Sequence, residues 1–160
     1  MNFIKVSLVI FQLLLSVTLA FLPSYARAVS HEDGGMKYEN ITAFPIPLQG
    51  GNKTIIGQDF NYPTGIPSIK AFNISFQPGN QTDLHKHLIP LYIYVVSGEM
   101  QVDYGTKGKK IFKAGDSYIE AINWCHKALT YNNKPPVVIG VYLGQENPSQ
   151  IKPETCSKSE

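Results

Sequence analysis

The chain is almost without arginine. Its single arginine, Arg27, lies close to the N-terminus, so everything beyond it lacks the planar guanidinium fork that grips a phosphate or carboxylate at two points. That weighs against phosphoester and sugar-nucleotide substrates. Only two cysteines occur, Cys125 and Cys156, so a single disulfide connectivity exists. In an exported chain that bridge would tie the C-terminal tail to the domain; the alternative is two free thiols. No stretch beyond the N-terminal segment carries a long helical repeat, and no internal repeat or low-complexity block stands out. Long apolar runs are also scarce. The one present, Val6–Leu22, follows Lys5 and ends in Ala26-Arg27-Ala28, a small-residue cleavage pattern. Residues 1–28 therefore read as a secretory signal peptide, and the alternative is an uncleaved anchor near the lower length limit for spanning a bilayer. The expected location is periplasmic or secreted.

Removal of that segment takes away Lys5 and Arg27 and leaves twelve basic residues against twelve acidic. The apparent basicity disappears, and with it the case for nucleic acid or an anionic membrane as a partner. No stable membrane insertion is expected after cleavage.

What remains divides into a polar N-terminus (29–40), a strand-rich domain (41–145) and a polar tail (146–160) expected to fray. Strand-like runs rich in Val, Ile, Tyr and Phe fall at Thr54–Gly57, Ile69–Phe76, Leu91–Gly98, Met100–Gly105, Lys109–Gly115, Asp116–Ile122 and Pro136–Gly144, with turn residues between them. Short strands so spaced predict a single all-β domain, a sandwich or barrel. Asn-x-Ser/Thr triplets stand at Asn40, Asn52, Asn73 and Asn80; they are glycan acceptors only if the source is eukaryotic.

Histidine is rare too, with four in the chain, yet two stand in an H-x-H pair, His85 and His87. A strand has period two, so both imidazoles leave one face and can chelate one cation. His126 follows in a second segment, which an antiparallel sheet can bring alongside. Imidazole suits Zn, Fe, Cu and Ni. Glu120 lies an even number of residues before His126, which on a strand places both on one face, unless the intervening Ile122–Cys125 turns. A buried carboxylate there would need a metal or hydrogen bonds. His31 would occupy the third position of a chain cleaved after Ala28, where free amine, amides and imidazole can chelate copper or nickel; the plain alternative is a histidine in a loose terminus.

These segments, "PGNQTDLHKH", "YVVSGEMQVDYG" and "KAGDSYIEAINWCH", resemble the two motif blocks of the cupin superfamily. Pro78, Gly79, His85, His87 and Gly98 match the first block; Gly115, Asp116 and His126 match the second. The resemblance spans about Phe72–Tyr142. It implies a single-domain cupin-type β-barrel, a double-stranded β-helix or jelly roll, holding a divalent transition metal (Fe, Mn, Ni, Cu or Zn) on His85, His87 and His126. The chain departs from the pattern at one place. The family's glutamate should stand seven residues before Gly98, and that position is Leu91. "HKHLIP" and "EAINWCH" are similar to a subgroup of small exported bacterial cupins with H-x-H-x-x-P and E-x-x-N-x-x-H, which implies Glu120 as the substitute ligand or proton-carrying acid; the alternative is a Glu120 that faces solvent on an edge strand. Cupins are often dimers, so the resemblance also implies a homodimer, although no interface is legible in the strand pattern.

Two functions follow. The first is a metal-dependent enzyme acting on a small organic molecule, with dioxygenase-like or isomerase- and lyase-like chemistry in which Glu120 moves a proton. The second is a non-catalytic metal- or ligand-binding protein whose site is altered by Leu91, since one fold hosts both. Phe112, Tyr92, Tyr94, Tyr118 and Trp124 are candidates for the pocket wall, or simply for the core.

Overall fold

Alternation of apolar and polar residues dictates the strands, and turn glycines end them. The computed structural model describes Asn40, residues 43–146 and residues 152–157. The expected signal peptide and His31 lie outside these residues. The account below concerns the unit Phe44–Glu160. No helix among the described residues is long and apolar enough to cross a membrane.

The strands are β1 (Leu48–Gln49), β2 (Pro67–Ser75), β3 (His85–Lys86), β4 (Leu91–Ser97), β5 (Glu99–Asp103), β6 (Lys109–Lys113), β7 (Ser117–Ile119), β8 (Lys127–Thr130), β9 (Val137–Gln145) and β10 (Glu154–Thr155). One sheet has the order β1-β7-β4-β9-β2; a second is β6-β5-β8; β10 and β3 form a two-stranded ribbon. All pairings are antiparallel except β1 with β7. The architecture is nearly all β, as the sequence predicts.

Along β4, Leu91, Ile93 and Val95 are buried while Tyr92 and Tyr94 face outward, the period-two pattern of a half-buried strand. On β9, Val138 and Tyr142 turn the same way. They join Met100 and Val102 of β5, Phe112 of β6 and Tyr118 of β7 in one apolar cluster, so both larger sheets contribute to the core. Phe112 and Tyr118 stack with ring centroids 4.0 Å apart. Strand β2 is different. It ends its sheet, pairs with β9 alone, and leaves Ile69, Phe72 and Ile74 exposed.

Two sequence expectations change. Thr54–Gly57 is a turn rather than a strand: Gly57 donates to the Thr54 carbonyl at 2.8 Å with its φ at +86°. The segment carries strand-like residues because Ile55 packs into the core, while its backbone gives β7 a single bond, from the Ile55 N–H to the Ile119 carbonyl at 2.8 Å, and no ladder. The tail, expected to fray, instead contains β10, which pairs with β3. Cys125 and Cys156 are bonded, with Cα atoms 6.2 Å apart. Closing a loop of 31 residues in the unfolded chain is worth about 3–4 kcal/mol on the chain-entropy account.

Gly98 makes the turn from β4 to β5 at φ +75°, and a Cβ there would meet the Pro135 carbonyl oxygen at 2.2 Å. Gly98→Ala therefore suffers both left-handed strain, about 1–3 kcal/mol, and a backbone clash. Gly79→Ala, with φ +76° but nothing within 4 Å of its Cβ, carries the strain alone. Urea denaturation should show Gly98→Ala to be clearly the more destabilised of the two.

Candidate metal centre

Segment 81–87 runs beside segment 122–129. His85 and His126 exchange both backbone hydrogen bonds, at 3.0 and 2.8 Å, and His87 bridges to Ile122. Backbone pairing thus sets the two histidine-bearing segments side by side before any side chain is considered. Asn123 then turns the chain. Its φ is +49°, a left-handed conformation that asparagine tolerates, and its N–H donates to the His87 carbonyl at 2.7 Å. Residues 122–125 do turn, so strand parity does not hold between Glu120 and His126. Both side chains are nevertheless buried, with the Glu120 carboxylate 3.6 Å from His126 Nε2.

His85, His87 and His126 converge, with one nitrogen from each lying within 4.8 Å of the others. His87 and His126 are buried and His85 is half-buried. The donor set fits a divalent transition ion, and the hydrogen bonds behind the rings explain why. His85 Nδ1 sits 2.8 Å from the Asp83 carbonyl, and His126 Nδ1 sits 2.9 Å from the Trp124 carbonyl. A carbonyl only accepts, so Nδ1 carries the hydrogen and the lone pair is left on Nε2, which is how metal-binding histidines are held. His87 Nδ1 lies 3.3 Å from the Tyr142 hydroxyl, which can accept in the same way. Glu120 is outside the mutual histidine group, with one carboxylate oxygen 3.6 Å from His126 Nε2. One Glu120 oxygen accepts from the Ala121 N–H at 2.7 Å; the other faces His126. The hydroxyls of Tyr104 and Tyr118 are held above the ordinary tyrosine range, by burial first and then by the field of Glu120. Tyr104 Oη is buried with no hydrogen-bond partner.

The histidines and Glu120 face a cavity of about 320 Å³. Leu91, Ile93, Met100, Val138 and Tyr142 supply its apolar wall. Leu91, at the position where the motif expects a glutamate, therefore borders the same space as the three imidazoles. Of the aromatic candidates only Tyr118 lines this cavity. Phe112 is core, Tyr92 lies on the outer face of its sheet, and Trp124 donates to the Tyr104 carbonyl at 2.9 Å beside a separate hollow. Tyr94 does not reach the cavity either. Tyr142 was missed, although the alternation within Pro136–Gly144 already puts it on one face with Val138. The separate hollow is wider, about 780 Å³, but holds none of the three histidines.

No protein-family model and no curated protein matches the chain. Among solved structures it is similar to an RmlC-like cupin from Shewanella frigidimarina, with 25% identity over 51% of this chain and 70% of that one, at a TM-score of 0.42. It is also similar to the oxalate decarboxylase of Lactobacillus farciminis (24% identity, 48% of this chain, TM-score 0.44) and to the DMSP lyase DddQ of Ruegeria pomeroyi (17%, 55%, 0.48). The chain spans only 24% and 43% of those two enzymes. The first of these neighbours is described as a cupin, and each of the three likenesses covers about half of this chain.

Burial, then the fields of His126 and His85, push His87 down to about 3 from its ordinary 6.5. Burial also lowers His85, against the pull of the Asp83 carbonyl. A histidine whose folded pKa lies below its unfolded value opposes protonation in the native state. Its contribution is therefore intact above about 6.5 and is lost as pH falls toward about 3. Metal-free protein should show a thermal midpoint that drops between pH 6.5 and pH 4, and His87→Gln should flatten that drop.

Proposed function

We propose that this chain is an exported cupin-type metalloenzyme acting on a small, largely apolar organic molecule. His85, His87 and His126 would hold a divalent transition ion, and Glu120 would move the proton. The observation that carries this reading is the pinning of Nδ1 on His85 and His126 by carbonyl groups, which leaves three imidazoles facing one point. Random polar residues on a strand have no need of such orientation, whereas ligands do. In a site of this kind a divalent ion supplies Lewis acidity toward a carbonyl or a water.

The remaining steps belong to the chain's own residues. A cavity of about 320 Å³ lies at the small end of the range for ligand sites, roughly 300–1,000 Å³, so the occupant is small. Leu91, Ile93, Met100 and Val138 exclude water from around it. Glu120 has one oxygen held by a backbone N–H and the other directed toward the histidines, a posture suited to taking a proton from a bound molecule and returning it. The Tyr142 hydroxyl, beside His87, can orient a polar end of that molecule. The reading of export rests on the leader-like pattern of residues 1–28 and on the bonded cysteine pair, which suits an oxidising compartment.

The apolar Leu91 where a carboxylate would stand favours a second reading, a ligand-binding protein without turnover. Elemental analysis decides the shared premise. Untagged protein should carry about one equivalent of Fe, Mn, Ni, Cu or Zn, lost in His85→Ala/His87→Ala. No metal in either, even after reloading, removes the enzyme reading. Glu120→Gln should keep the metal and abolish turnover of any substrate found in a small-molecule screen; unchanged turnover would take the proton-carrying role from Glu120. Leu91→Glu should slow metal loss to a chelator and, because its carboxylate is buried, lower the thermal midpoint of the metal-free protein.

A further inference from the structure

The cavity has one wall that none of the cupin-motif strands supplies. Pro153 and Thr155, from the C-terminal tail, line it together with His85 and His87. In β10, Thr155 is the register partner of His85 and Glu154 that of Lys86. The Cys156 N–H donates to the Leu84 carbonyl at 3.0 Å. Little else holds the segment: the ribbon is two residues long, Lys152–Thr155 is exposed, and the Lys86–Glu154 ion pair is 3.6 Å apart and open to solvent. Such pairs hold weakly. The strong tether is covalent. Cys156 follows Thr155 directly, and its partner Cys125 directly precedes His126. The disulfide thus clamps the tail to the same paired backbone that carries His85 and His126.

We propose that the segment Lys152–Ser157 is a specificity-determining wall of the cavity, held shut by Cys125–Cys156, which limits the size of molecule that reaches His85. The proposal rests on the reading of this cavity as the substrate site. Thr155 and Pro153 are the residues that set the limit. Without the bond, the two-residue ribbon must hold the tail alone, and opening on that scale is the property of segments with few buried contacts.

The test reads histidine accessibility in metal-free protein, so a failure of the metal assignment leaves it unaffected. Oxidised wild type and Cys125→Ser/Cys156→Ser would be treated with diethyl pyrocarbonate, a compact reagent, and with 4-bromophenacyl bromide, a bulkier one. Modification of His85 would be timed by peptide mass spectrometry. Loss of the disulfide should speed the bulky reaction roughly tenfold or more, and the compact one much less, as local opening of a weakly held segment predicts. Thr155→Trp, with the disulfide intact, should slow both. Equal bulky rates in the wild type and the double variant would overturn the proposal. Should the double variant fail to fold, Thr155→Trp and Pro153→Gly decide alone, and unchanged rates in both would overturn it.

Discussion

The paired backbone of His85 and His126 is the contact on which the candidate site depends. Two hydrogen bonds fix two segments far apart in sequence into one frame, and each ring then takes its orientation from a carbonyl two residues upstream, Asp83 for one and Trp124 for the other. Because the pairing bonds run main chain to main chain and the rings donate to main-chain carbonyls, this frame owes little to side-chain identity beyond the histidines. Asn123 completes it by accepting a left-handed turn that returns the chain to His87. A bulkier β-branched residue would resist that turn, which gives the asparagine of the E-x-x-N-x-x-H pattern a conformational reason.

Burial then decides the electrostatics. Burial lowers the pKa of His85 and His87, so the native state favours their neutral forms, the forms that offer lone pairs. Glu120 shares the enclosure, and the hydroxyls of Tyr104 and Tyr118 are correspondingly hard to ionise. The polar groups form a compact inner layer, surrounded by Leu91, Ile93 and Val138.

Much of this was legible in the chain. Alternation exposed β4 and β9, and the H-x-H spacing with a third histidine marked the site, because period two and ligand chemistry are local properties. Other parts were not. Thr54–Gly57 has strand composition but makes a turn, since an apolar residue buried by one turn and one buried in a full ladder leave the same residue signature. Strand parity placed Glu120 near His126 for the wrong reason: the chain turns between them, and proximity comes from the turn. The tail looked unstructured because its order is borrowed from β3 and from a bond to Cys125, neither of which a local window can detect. Aromatic residues misled most: composition cannot tell a wall of the cavity, Tyr118, from the opposite face of the sheet, Tyr92.

Strand β2 lends Ile74 to the cavity wall and also bears on how the molecule behaves in bulk. It sits at the end of its sheet and presents Ile69, Phe72 and Ile74 to solvent, with Lys70 its only charge. An edge of this sort invites any extended segment to add itself to the ladder. The near balance of fourteen basic and twelve acidic residues leaves little long-range repulsion to oppose such an encounter. The one charge on this edge is thus the Lys70 ammonium, which shares a strand face with Phe72 and Ile74 and would have to be covered by any strand packing there.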